Sequence, residues 1–420
     1  MPGLWRNRTF TLLFWAQAMS LAGSGVTTVA LALMVHKMAG PATATAVLGQ
    51  ALMLRIAAFL LFSQPAGILA DRLNRKAILI ASDLSRLVIL AFFPFITTVW
   101  QVYAAVFVLN SLTAFFTPAF DASLPEIVGD ELYVKALSYS RVTVDIEAIA
   151  GPAIAGLLVA VVGLRWVFWF DAATYLVSAI MISFVAVPGA GRQQGSLAPS
   201  ALWKELTYGT RVLLRNPSIR QALLMSLAEA MAGASAIVVT IVYVRDFLHG
   251  TELQYSLTMA AVGAGSAICA VGLGRITARM ERAERDGSRQ HALRHLWSRR
   301  SLFVGGLALA ASLLPASASP SLMLFGLLWI LNGAGQALVA IPTSTLVASH
   351  TQPDERGRAF AAHFAITHAC WLVSYPLTGR LAERIGPTET FLVCGLACLA
   401  ITAMAFVAGL GRRNAHGILR

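Results

Sequence analysis

The sequence predicts an all-α membrane protein whose twelve transmembrane helices form two pseudo-symmetric bundles of six. Three observations predict it. The 420-residue chain is 57% hydrophobic and only 12% charged, whereas a soluble domain carries about 25% charged residues. Apolar runs near the ~20 residues needed to cross a bilayer recur along the whole length. The second half of the chain also repeats features of the first.

The first six runs lie at about 10–36, 43–70, 77–99, 101–121, 133–162 and 165–187. The first follows Arg6 and Arg8 and is too long for the apolar core of a cleaved signal peptide, so it is expected to belong to the fold. Six more follow at about 218–244, 254–276, 301–317, 320–347, 357–379 and 388–410. With the N-terminus inside, the external connections hold only Lys37, Arg165, Arg245, Arg380 and Arg384 among the Lys and Arg residues. The other cations, apart from Arg55 and Arg86 deep within segments, fall in the inner connections or at the inner ends of segments. The net charge of +12 therefore sets orientation, and nucleic acid is not expected as a partner. Both termini should be cytoplasmic, in a multi-pass protein of the cell inner membrane. Cys269, Cys370, Cys394 and Cys398 all sit inside apolar runs, so no disulfide framework is implied.

The repeat is read from offsets. Arg6-Asn7 aligns with Arg215-Asn216 at an offset of 209. Arg75-Lys76 aligns with Arg299-Arg300, Pro118 with Pro342, and Pro152 with Pro376, all at 224. A basic insertion around 280–295 supplies the difference, and Arg279 to Arg300 reads as an inner, lipid-facing stretch. Three parts follow: an N-terminal bundle over 1–187, a cytoplasmic linker over 188–217, and a C-terminal bundle over 218–420. The linker contains "SALWKELTYGTRVLLRN", an amphipathic helix expected to lie on the inner membrane face. Two matched halves joined this way are the plan of carriers that rock around a central site.

The stretch "GILADRLNRK", residues 67–76, packs Asp71, Arg72, Arg75 and Lys76 into the turn between segments two and three. Gly67 is expected to permit close helix approach, and Asp71 can meet a helix N-terminus or a cation. Arg72, Arg75 and Lys76 can bind carboxylates or anionic lipid headgroups. Such contacts would hold the inner side shut; the alternative is a simple topology anchor. The decapeptide resembles motif A of the major facilitator superfamily, matching at Gly67, Leu69, Ala70, Asp71, Arg72, Arg75 and Lys76, with Asn74 in place of a glycine. "GPAIAG" in segment five (Gly151, Pro152, Gly156) resembles the antiporter-associated motif C and suggests a helix bend, with Ala155 where that pattern has glycine. The arginine of motif B is missing, and Asn110 stands at the corresponding position. "FFTPAFDASLPEIV" and "GPAIAGLLVAVVGLRWVFWFDAATYLVSA" are similar to the branch of enterobactin exporters, macrolide-efflux proteins and nickel-resistance permeases.

An ionisable side chain at membrane depth costs at least about 2.5–3.5 kcal/mol, so each calls for a reason. Glu229, midway through segment seven, is the first candidate for a proton-coupling carboxylate, with Arg55 of segment two as a counter-ion or static partner. Glu147, beside the Gly-Pro pair, is the second. Arg141 and Asp145 lie one helical turn apart and can pair with each other. Asp83 and Arg86 read as structural partners of the 67–76 turn, and Asp171 as a cap or gate near the outer end of segment six. Gln17, Asn110, Asn332 and Gln336 are cavity hydrogen-bonding candidates, equally plausible as interhelical contacts. His368 and Trp371 are further cavity candidates. His363 and His368 are five apart, about 140° around a helix, which disfavours a shared metal. Gly263, Gly265, Gly272 and Gly274 in segment eight read as small residues for close helix packing.

No Walker, HExxH or GxSxG sequence occurs, so an enzyme and a bound cofactor are not expected. The resemblance implies a monomeric secondary transporter that exports a small molecule by alternating access with proton antiport. Alternatives are a nickel or cobalt efflux permease, with a metal-ion substrate, and a non-transporting sensor or scaffold.

Overall fold

The computed structural model describes residues 4–187, 199–285, 291–318, 321–352 and 355–410. Each predicted segment is helical there. Segments one and two form α1 (Arg8–Arg72). Segments three to six are α2 (Arg75–Phe92), α3 (Val99–Val128), α4 (Asp130–Val162) and α5 (Leu164–Ser183). The amphipathic linker helix is α6 (Pro199–Arg215). Segment seven is α7 (Pro217–Val238), continued by a single turn α8 (Thr240–Val242) and a π turn over Tyr243–Phe247. Segments eight to twelve are α9 (Glu252–Arg285), α10 (His291–Ala316), α11 (Leu322–His350), α12 (Arg356–Ile385) and α13 (Pro387–Leu410).

Among the described residues, eight helices are long and apolar enough to cross a membrane. The first, Arg8–Ser63, has 56 residues, enough for two crossings. α4, α10 and α12 carry polar or charged residues through their first halves and fall below that measure; α4 is apolar only over Ala150–Val162.

The turns are short because single residues make them. Gly40 has φ 73°, which an L side chain adopts at a cost, and Pro41 follows it; together they end segment one and start segment two. Positive φ at Gly129, Gly163 and Gly386 likewise joins consecutive helices through one residue. At the 67–76 turn the Leu73 amide donates to the Leu69 carbonyl at 2.8 Å. Asn74 then caps α2 by accepting from the Ala77 amide at 3.2 Å. Only Leu73 and Asn74 separate α1 from α2.

By its internal packing the chain resolves into two units. The first is Met1–Gly195 with His249–Ala260, and the second is Ser196–Leu248 with Ala261–Arg420. The first unit's core gathers Phe10, Leu13, Leu79, Phe116, Phe120 and Leu124. The second holds an aromatic cluster in which Trp329 contacts Phe325 and Phe391, and its indole nitrogen donates to Thr240 Oγ1 at 3.0 Å.

One expectation, at Gly67, is corrected here. The end of α6 packs against protein. Val212 and Leu213 are buried with Ile219, Leu223, Val347, Ala359 and Ala362, because a protein surface of matching apolar residues is available to them. The Tyr208 hydroxyl bonds the Glu355 carboxylate, which holds the phenol above the ordinary tyrosine value, and Arg358 stacks over the Tyr208 ring at 4.4 Å. A side chain at Gly67 would meet open space, so no close helix approach is made there. In segment eight Gly265 does lie against the Ile330 backbone, whereas Gly272 and Gly274 face open space.

Candidate functional site

The first unit encloses a cavity of about 260 Å³. Its apolar walls include Leu21, Leu52, Phe59 and Phe93. Its polar lining comes from every helix around it: Ser24, Thr27, Thr28 and Arg55 from α1, Asn110 from α3, Glu147 from α4, and Asp171 and Tyr175 from α5.

Arg55 donates from Nη1 to Thr28 Oγ1 at 3.4 Å and stands within electrostatic range of Glu147. The Glu147 carboxyl is placed by two glycines. The Cβ that Gly25 lacks would lie 2.7 Å from Glu147 Oε1 and 3.1 Å from the Gly151 Cα. Segment one and α4 therefore touch backbone to backbone, one turn from Glu147. α4 runs as continuous helix through Pro152. Gly156 lies against Ser256 and Leu253 of the 249–260 stretch in the same unit.

Asp171 is fully buried. It accepts from the hydroxyls of Thr27 and Thr174, and Gly23 leaves the space its carboxylate occupies. Gly163 stands at the N-cap of α5, so Asp171 is no cap. Of the two roles expected for it, cap and gate, the first is removed, and Asp171 lines the cavity. The signal was present: Asp171, Thr174, Tyr175 and Ser178 fall at i, i+3, i+4 and i+7 on one face of an apolar helix.

Asp83 and Arg86 form a buried ion pair in α2. Ser178 donates to Asp83 Oδ2 at 2.6 Å. The Arg86 guanidinium lies between the rings of Phe116 and Tyr175, 4.6 and 4.3 Å from their centroids. These partners come from α3 and α5, so the pair does not serve the 67–76 turn as expected; the turn is too far along α2 to reach them. Arg75 serves it instead. Arg75 donates to the carbonyls of Ala70 and Ala122 at 3.1 and 3.0 Å and to Glu126 Oε1 at 2.6 Å. Lys76 Nζ donates to the Ser183 carbonyl at 2.6 Å. Arg72 is exposed. The side chains of Asp71, Arg141 and Asp145 lie outside the described residues.

Other candidates separate into interhelical contacts and second-unit residues. Gln17 accepts from Ser140 Oγ at 2.8 Å, tying segment one to α4 away from the cavity lining. Asn110 lines the cavity and donates to its own helix at the Val106 carbonyl, 2.8 Å away. In the second unit, Asn332 is fully buried, donates to Ser312 Oγ at 3.0 Å and accepts from Gln336 at 2.8 Å. Glu229 is half-buried in α7, with no hydrogen bond or ion pair to another described residue. Trp371 lays its indole against Gly233. His368 Nδ1 donates to the Phe364 carbonyl at 2.9 Å, and the two rings stack 3.7 Å apart. His363 Nε2 is buried without a hydrogen-bond partner among the described residues. Among those residues no group of three His, Cys, Asp or Glu side chains gathers as a metal site.

The sequence model of the Major Facilitator Superfamily matches residues 13–285 and 292–417. The chain is 28% identical over 407 residues to macrolide efflux protein A of Streptococcus pyogenes, covering 94% of this chain and 95% of that protein. It is 26% identical over 406 residues to the multidrug efflux pump Tap of Mycolicibacterium fortuitum, covering 94% of each. Among solved structures, nucleoside transporter NupG superposes with a TM-score of 0.72 at 13% identity, over 95% of this chain and 98% of that one. A bacterial homologue of the human lysosomal transporter Spinster gives 0.73 at 13% identity, over 97% and 98%. At such identities the structural likeness speaks for the fold alone.

Proposed function

Because the chain belongs to the major facilitator superfamily, we propose that it exports a small organic molecule across the cell inner membrane, in exchange for protons and by alternating access. It is a multi-pass membrane transporter with efflux proteins among its relatives, not an enzyme. The halves 1–187 and 218–420 are the bodies that alternate, with both termini in the cytoplasm. Arg75, Lys76 and their neighbours in the 67–76 turn brace the first half on its inner side.

One observation carries the coupling: a cavity lined by both Arg55 and Glu147, within electrostatic range of each other. Glu147 is the group that takes up the proton, and Arg55 is its counter-charge when the proton leaves. Glu229 of segment seven, with no such partner among the described residues, becomes the second candidate. The apolar walls suit a hydrophobic cargo, and the names of the efflux relatives support a macrolide or another drug. A proton entering with a potential of about 100 mV supplies about 2.3 kcal/mol, enough for nearly fifty-fold accumulation.

The test is flux. Purified protein in proteoliposomes should move a labelled macrolide against its gradient when a pH gradient is imposed. Uptake that ignores the pH gradient removes the antiport reading, and no movement of macrolides or other amphiphilic drugs removes the efflux reading.

A further inference from the structure

We propose that residues 249–260, the outer end of segment eight, are a latch that holds the carrier's outer side shut and lifts off as one piece when the cavity opens outward. The latch's role and sidedness rest on the alternating-access reading above; its docking is a property of the folded chain.

By the sequence repeat, segment eight belongs to the half 218–420. By packing it is divided. His249–Ala260 belong with the first unit and Ala261 onward with the second, so α9 starts in one and continues in the other. The chain enters the stretch at His249, whose φ of 53° is the only positive value at a residue other than glycine among those described. When two halves alternate, a stretch of one that docks on the other is seated in one state and unseated in the next.

Two contacts seat this stretch. Lys37, shortly before the Gly40 turn, pairs with Glu252 at 2.6 Å. Farther along the helix, Leu253 and Ser256 lie against Gly156 of α4. The Cβ that Gly156 lacks would stand 2.3 Å from the Ser256 Cβ and 3.3 Å from Leu253 Cδ1. Lys37 and Gly156 come late in segments one and five, toward the outer ends of both.

Both contacts are of a kind that a carrier can undo at every cycle. The Lys37 and Glu252 side chains are 53% and 24% exposed, so water takes over their charges on separation. Ser256 and Thr258 are buried, yet their hydroxyls donate to their own helix, at the carbonyls of Glu252 and Gln254, 2.9 and 2.8 Å away. Thr251 and Gln254 cap the first turn reciprocally. The Thr251 amide donates to Gln254 Oε1 at 2.7 Å, and the Gln254 amide to Thr251 Oγ1 at 3.2 Å. These polar groups stay satisfied docked or undocked, so unseating the stretch leaves none of them as an unpaired donor.

Leu31, on the same segment as Lys37, lines the cavity and reports access to it. In right-side-out vesicles a membrane-impermeant thiol reagent should label Leu31→Cys slowly, above the background of the parent's own cysteines. Lys37→Glu and Glu252→Lys should each raise that rate about two- to fivefold, as far as a partly exposed ion pair can bias an equilibrium. The double swap should restore the slow rate. Gly156→Ala should raise it at least about fivefold by overlapping Ser256, and adding Ser256→Gly should reverse the effect. A contact that is merely structural would lower the melting temperature of these variants and leave the labelling rate alone, which overturns the proposal. Charge effects that add in the double swap instead of cancelling overturn it too. If Gly156→Ala does not fold, the charge cycle decides alone. If labelling follows the latch while proteoliposomes show no drug flux, the efflux reading falls and the latch stands. If flux is pH-driven but labelling of Leu31→Cys ignores every one of these substitutions, the latch alone falls.

Discussion

Arg75 and Glu126 lie at opposite ends of a 2.6 Å ion pair that joins the turn after segment two to the end of segment four. Arg75 is nearly buried, at 8% side-chain exposure, and Glu126 is at 36%. The asymmetry decides what each contributes. Arg75→Ala strips a donor from Glu126 and from two backbone carbonyls, and should destabilise the protein by about 2 kcal/mol. Glu126→Gln keeps an acceptor on a partly solvated side chain and should cost less than about 1 kcal/mol. Thermal unfolding in detergent separates the two.

Asp83 and Arg86 are the opposite case, an ion pair with no water to fall back on. Arg86→Met alone should destabilise by about 3–5 kcal/mol, since it leaves a buried carboxylate unanswered. Combining it with Asp83→Leu should recover much of that loss. Denaturant titration of the single and double variants checks the sign of the recovery.

Glu147→Gln should reduce pH-driven drug flux in proteoliposomes at least about tenfold, a loss of roughly 1.4 kcal/mol of coupling, while passive counterflow of the same drug continues. Glu229→Gln should leave the larger share of pH-driven flux. The reverse ranking would move the coupling site to segment seven.

The glycines of segment eight and Gly333 of segment ten divide sharply. A methyl group at Gly265 would overlap the Ile330 carbonyl, and one at Gly333 the Val262 carbonyl. Gly265→Ala and Gly333→Ala should each cost about 1–3 kcal/mol or more by overpacking. Gly272→Ala and Gly274→Ala meet open space and should be neutral, or stabilising by up to about 1 kcal/mol. Melting temperatures of the four variants form a single comparison.

Leu213→Ala tests the seat of the linker helix. Leu213 is fully buried, and its loss should cost about 2–5 kcal/mol. Leu214→Ala, on the exposed neighbour, should change little; equal effects in unfolding would argue against the docked helix.

The twelve helices were legible because hydrophobic length in a bilayer is a one-dimensional signal, and Arg75 stood out because four charges crowd an otherwise apolar chain. Glu126, its partner, was not legible: nothing local links residues 51 apart across a helix packing. Glu147 and Arg55 were visible singly, as costly groups at membrane depth. Their facing was not, since it depends on Gly25 and Gly151 letting two helices touch. That Asp171 lines the cavity rather than capping α5 was legible only from the helical face it shares with Thr174, Tyr175 and Ser178. For α6, amphipathicity fixed that a face is buried but carried no information on whether lipid or protein buries it.

The bare seam between Gly25 and Gly151 also limits how this carrier can evolve. Any residue larger than glycine at either position pushes on the opposing backbone, and at Gly25 on Glu147 itself. Adaptation to a bulkier substrate is therefore closed off along that side and open along the other, where trimming Leu21, Leu52 or Phe59 enlarges the chamber without shifting a charge. Variants selected for transport of larger compounds should accumulate at those three positions and spare the two glycines.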